Sequence, residues 1–224
     1  MEQNNTIKYI TLLLTFCAGF CDTATFVAAD ELFSAHVTGN FIVFAYDIVN
    51  YSDKQAWLKL LSFPVFIVSV AVGGRIISKA GNKYTILVIE GLLMLLCGGA
   101  ILGMEYSGSL PKPVLFTIAM VLVFAMGLQN AFSRLFAKET YGPTTIMTGN
   151  VTQLALDLEQ GLRNKFDDGI GAAVKRQSIT LSGFLAGCLA GGVLAQRMGL
   201  GAVALPGVLL VLMCVACFPL GKKN

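Results

Sequence analysis

Charged side chains are scarce in this chain: they make up 13% of its 224 residues, about half the share of a soluble globular domain. So few charges cannot clothe a water-facing surface, which excludes a soluble enzyme, a disordered protein and a nucleic-acid binder. Sixteen basic and thirteen acidic residues leave a net +3, with no basic run to track phosphates. Histidine occurs once. There is no H-E-x-x-H, no G-x-S-x-G and no histidine cluster, so the side chains of a membrane hydrolase are missing. No enzymatic activity, no metal and no cofactor are expected. Cys17, Cys21, Cys97, Cys188, Cys214 and Cys217 all fall in apolar stretches, where free cysteine behaves as a small hydrophobe. The Cys214-x-x-Cys217 pair has no second ligand pair for zinc.

What is abundant is apolar surface: 55% of residues are hydrophobic and the mean hydropathy is +0.72. The reading is an all-α, multi-pass membrane protein in a single membrane domain spanning residues 1–224. Crossing the hydrocarbon core takes about 20 apolar residues. Six stretches qualify: Tyr9–Val27, Leu58–Ile77, Tyr84–Met104, Val114–Phe132, Ile179–Ala195 and Ala202–Leu220. The first has a lone Lys8 before it and no small-x-small cleavage site after it, so it reads as a retained span. Two shorter pieces, Phe41–Val49 and Val151–Leu158, each follow a T-G-N tripeptide. About ten residues of helix reach only half a bilayer, so both read as re-entrant half-helices.

The tripeptides belong to a longer repeat. Gly19 and Asp22 correspond to Gly127 and Asn130, Thr38-Gly39-Asn40 to Thr148-Gly149-Asn150, and Asp47 to Asp157. Further on, Phe66, Gly73-Gly74, Lys79 and Gly81 correspond to Phe184, Gly191-Gly192, Arg197 and Gly199 at an offset of 118. Two units, about 8–110 and 111–221, each read as span, half-helix, span, span. With six spans and the N-terminus inside, the Lys and Arg divide twelve inside to four outside; with eight spans they divide ten to six. The positive-inside rule prefers six. Three spans per unit would then invert one copy relative to the other.

Several polar residues fall inside these apolar segments. Asp22 lies late in the first span, where a carboxylate costs several kcal/mol unless paired or wetted. Its mate Asn130 follows Gln129. They are expected to face each other near the pseudo-twofold axis, either touching solute or bonding the two units together. Thr38, Gly39, Asn40, Thr148, Gly149 and Asn150 are expected to start two half-helices whose positive dipole ends meet near the midplane. Glu90, without a counterpart in the second unit, marks either a pathway or a snorkelling side chain. His36 reads as an ordinary interfacial histidine. Asp47 and Asp157 lie toward the wrong end of the helix dipole for an anion; Arg75 and Arg134 are their expected partners. Gly183, Gly187 and Gly191 form a double G-x-x-x-G for close helix packing. The stretch from Gln160 to Gln177 reads as a long polar loop.

The paired signatures, Gly19-x-x-Asp22 leading to Thr38-Gly39-Asn40 and Gly127-x-Gln129-Asn130-Ala131 leading to Met147-Thr148-Gly149-Asn150, resemble the bacterial YoaK family, also called DUF1275. The likeness covers nearly the whole chain, with Asp22-Thr23-Ala24 where Asp-Ala is expected. It implies a small multi-pass protein of the bacterial inner membrane, with a cytoplasmic N-terminus by the charge count, and it implies no substrate. Aquaporins, by analogy alone, also combine inverted repeats with half-helices bearing a short Asn motif. The functional expectation is a transporter or channel for a small polar or anionic solute, with proton coupling through Asp22 or Glu90 as a variant. The competing readings are a non-transporting membrane scaffold or regulatory subunit and, disfavoured by the missing motifs, a membrane enzyme. The expected partners are the lipid bilayer, an unidentified solute and, as an open question, a second copy of the chain.

Overall fold

The computed structural model describes residues 2–50, 56–106, 110–145, 148–164 and 166–217. Ile146, Met147, Lys54, Lys165, Lys222, Lys223 and the expected end of the last span beyond Cys217 lie outside them. Eight α-helices appear among the described residues: α1 Glu2–Ala28, α2 Gly39–Asn50, α3 Ser62–Lys79, α4 Thr85–Tyr106, α5 Lys112–Leu135, α6 Thr148–Asn164, α7 Asp168–Met198 and α8 Ala204–Cys217. Two 3-10 turns, Ala56–Leu61 and Gly199–Val203, lead into α3 and α8.

Among the described residues five stretches are long and apolar enough to cross a membrane: Asn5–Ala28, Ala56–Lys79, Thr85–Tyr106, Lys112–Leu135 and the 50 residues from Asp168 to Cys217. The last is not straight. Gly199, at φ +52°, reverses the chain. A side chain there would be strained and would meet the Glu105 carboxylate. Beyond the bend the chain descends along α4: Gly201 packs on Leu102, Ala204 on Gly98 and Gly207 on Gly91. So α8 runs antiparallel to α4.

Small residues set the other main contacts. Along α7, Gly183 lies on Thr15, Gly187 on the Phe16 carbonyl and Gly191 on the Phe20 carbonyl, so α7 runs parallel to α1 and the double G-x-x-x-G is its contact face. On the other flank, the Ser69 hydroxyl donates to the Phe124 carbonyl, and Gly73 meets Leu128 and Ala131. Hence α3 runs parallel to α5. The most enclosed span is α1, 67% buried over its apolar window, against 22% for the Ala56–Lys79 stretch. Outward rows such as Leu185, Leu189 and Val193 on α7 stay exposed, as lipid-facing positions do.

The polar loop expected from Gln160 to Gln177 is mostly helix. α6 runs on to Asn164 and α7 starts at Asp168. The Asp167 side chain caps α7 by accepting from the Ile170 N–H at 2.7 Å. Polarity misled the reading there, because a helix needs no apolar face where it leaves the bundle.

Candidate functional site

Each T-G-N element is preceded by a loop, and a polar side chain on the helix before that loop holds it in place. At the C-terminal end of α1 that side chain is Asp22. One carboxylate oxygen accepts from the Ala35 N–H at 2.5 Å, the His36 N–H at 3.3 Å and the Ser34 hydroxyl at 3.4 Å. The other is bonded to His36 Nδ1. Three or four donors on one carboxylate explain how it stays buried. The loop reaches it through two left-handed residues, Asp30 at φ +50° and Glu31 at φ +59°.

Asn40 then anchors the start of α2. Its amide accepts from the Phe33 N–H at 2.8 Å and donates to the Phe33 carbonyl at 2.9 Å and to Ser62 Oγ at 2.8 Å. Gly39 is required by contact, since a Cβ would press the Phe33 ring at 2.9 Å. Further along α2, Asp47 pairs with Lys59 at 2.5 Å, both nearly sealed from solvent. Arg75, the partner expected for Asp47, is exposed elsewhere; the turn at Ala56–Leu61 brings Lys59 back beside α2, which helical spacing could not show. A cavity of about 1040 Å³ opens here, lined by Asp30, Glu31, Tyr46, Asp47, Lys59 and Lys112 among others.

At the C-terminal end of α5 the same plan is built from amides. Asn130 donates to Thr145 Oγ1 at 2.7 Å. Gln129 donates to Thr144 Oγ1 and to the Leu14 carbonyl of α1, both at 2.9 Å, and its Oε1 has no partner. The Tyr141 N–H donates to Thr11 of α1, and Lys83 pairs with Glu139 at 2.6 Å, tying this loop to α1 and to the turn before α4. A smaller cavity of about 270 Å³ lies beside Pro143, Gly149, Asn150, Gln153 and Gln177. Asp157 accepts from Gln153 on its own helix at 2.7 Å rather than pairing with Arg134.

Asp22 and Asn130 are therefore not bonded to each other. Gln129 sits level with Leu14, and Asp22 lies eight residues further along α1, about 12 Å at 1.5 Å per residue. The two T-G-N elements likewise stand at opposite ends of the bundle, because α5 runs antiparallel to α1, with Gln129 at Leu14 and Tyr141 at Thr11. Thr38 and Thr148 are exposed, while Asn40 and Asn150 are buried. Gly149 has open space around it, unlike Gly39.

Glu90 is neither snorkelling nor paired. It is fully buried on α4, and neither carboxyl oxygen has a hydrogen-bond partner among the described residues. It adjoins the Gly91–Gly207 contact with α8 and lies within electrostatic reach of Cys17, Cys21 and Cys214. Cys17 in turn contacts the Pro206 carbonyl of α8. All six cysteines are free.

The sequence reading missed Ser34, His36, Ser62, Lys59, Thr144 and Thr145. One signal was available: a hydroxyl stands four residues before the T-G-N threonine in both halves, Ser34 before Thr38 and Thr144 before Thr148.

The family model described as "Protein of unknown function (DUF1275)" matches residues 10–216. No curated protein and no solved structure matches the chain. The chain belongs to the DUF1275 family.

Proposed function

For this member of DUF1275 we propose a six-crossing membrane transporter made of two inverted copies, residues about 8–110 and 111–221, that passes a small polar solute between two polar ends. The observation that carries the reading is the exchange of partners between the copies. The first helix of each packs parallel to the second long helix of the other, α1 on α7 and α5 on α3, while α4 and α8 pair antiparallel. Equivalent positions make these contacts: Gly19 lies on the Phe184 carbonyl and Gly127 on the Phe66 carbonyl. Following the chain, α1, α4 and α7 run one way and α3, α5 and α8 the other. Such an arrangement belongs to transporters that rock one repeat against the other.

Asp22, Thr38, Gly39 and Asn40 form the polar station at one end, and Gln129, Asn130, Thr148, Gly149 and Asn150 the station at the other. Glu90 lies between them in height. The ends differ in access, with the larger cavity on the Asp22 side. The excess of Lys and Arg near the N-terminal end of α1 supports a cytoplasmic N-terminus in a bacterial inner membrane.

The test has two steps. In a cysteine-free background, Asn50→Cys and Leu162→Cys are labelled with an impermeant thiol reagent in cells and inverted vesicles; labelling from the same side removes the inverted layout. Proteoliposomes are then assayed against a panel of small solutes, and Asp22→Asn is expected to abolish the flux found. A second reading has its own support: Asp22 and Asn40 direct their bonds inward, as architectural side chains would. Absent flux together with stoichiometric co-purification of one partner would establish that scaffold reading.

A further inference from the structure

Glu90 carries an inference that rests on the transporter reading for its purpose but not for its chemistry. An ionised carboxylate buried with no counter-charge and no donor costs far more than a neutral one, since every compensating interaction is missing. Among the described residues Glu90 has neither. Even as the acid it leaves a buried O–H and carbonyl unsatisfied, each costly to bury. An apolar residue would fill the position at no such cost.

The groups around it narrow what the site can bind. On α1 the titratable groups within its electrostatic reach are the thiols of Cys17 and Cys21, with Asp22 one residue further on. α8 adds Cys214, and its own helix carries Cys97 and Glu105. α5 offers no titratable side chain between Lys112 and Arg134. α3 contributes only Arg75 and Lys79, both exposed. Among the described residues no group of three or more ligands could hold a metal ion. A single carboxyl among thiols and apolar side chains lacks the oxygen shell that a hard cation requires, but it suffices for a proton.

Its position supplies a route. Cys21 lies within electrostatic reach of both Glu90 and Asp22, and Asp22 is bonded to His36, whose side chain is 34% exposed. His36 therefore connects water to the Asp22 carboxylate. We propose that Glu90 is an exchangeable proton site and the coupling position of this protein, loaded from the end where Asp22 and His36 stand. In loading, His36 takes a proton from water and passes it to Asp22. The Asp22 O–H bond breaks as one forms to a relay water beside Cys21, that water gives one of its other protons to the Glu90 carboxylate, and unloading reverses these steps.

Infrared difference spectroscopy of the full chain in lipid, wild type against Glu90→Gln, tests it. The expected result is a protonated-carboxyl band at neutral pH that is lost in the variant, shifts in D2O and fades reversibly as the pH is raised. Absence of the band, or a band unmoved by both D2O and pH, overturns the proposal. If Glu90→Gln does not fold, the D2O and pH series on wild type still decides. His36→Gln is expected to slow deuterium exchange at Glu90 by roughly tenfold or more; an unchanged rate overturns the route through His36. Exchange at Glu90 with neither proton nor solute flux in proteoliposomes would support the site and remove the transporter reading, so the two fail separately.

Discussion

The two ends of the bundle perform one structural task with different chemistry. At the Asp22 end a carboxylate gathers Ser34, Ala35 and His36. At the Asn130 end two amides reach two threonine hydroxyls and one carbonyl. Asp47 is sealed against Lys59, whereas Asp157 bonds a neighbour on its own partly exposed helix. The side chain that gathers the loop is thus ionisable at one end and neutral at the other, where a separate Lys83–Glu139 ion pair adds to the amides. The two ends therefore differ in the chemistry of their anchors while their helix contacts correspond.

The comparison breaks most severely at Lys59. Lys59→Met removes the ammonium that the buried Asp47 carboxylate pairs with, so unfolding in mild detergent should show a loss of about 3–5 kcal/mol. A variant as stable as wild type would mean that water reaches this pair. Next comes Asn40→Ala, which strands both backbone groups of Phe33 and removes one donor from Ser62, whose hydroxyl still bonds the Lys59 carbonyl; a loss of roughly 2–3 kcal/mol is expected. The same change at buried Asn150 measures the load on the second T-G-N element, and equal losses would mean that the two elements carry equal loads. Asp22→Asn converts the charged end toward the neutral design. The amide oxygen still accepts from Ala35, so a loss of about 1–2 kcal/mol is expected from the weakened bonds, measured against the reciprocal Asn130→Asp. The smallest effect belongs to Asp157→Asn, within about 0.5 kcal/mol of wild type; a larger loss would reveal a second partner for that carboxylate.

Much of this was legible from residue types alone. Apolar runs located α1, α3, α4 and α5 to within a few residues, because a span must exclude polar groups over a fixed length. The G-x-x-x-G row identified the α7 face that meets α1, because only small residues allow backbones so close. The T-G-N elements were legible as helix starts. Their placement was not, since the repeat suggested that equivalent residues would meet at its axis. Asn40 instead reaches back to Phe33 and forward to Ser62, contacts separated by a loop and a 3-10 turn. His36 looked ordinary because it has no repeat mate; it matters because a left-handed bend at Asp30 and Glu31 returns the chain to Asp22.

The sequence by itself determined a membrane protein of long apolar helices, its family, and the polar residues that a bilayer would not tolerate without reason. Hydropathy and spacing are local properties, written into consecutive residues. Tertiary structure alone decided which helices pair, that Asp22 and Asn130 serve separate ends, and that Glu90 stands without a partner at the centre. Those facts depend on which distant segments share a depth in the fold, and no local pattern encodes depth.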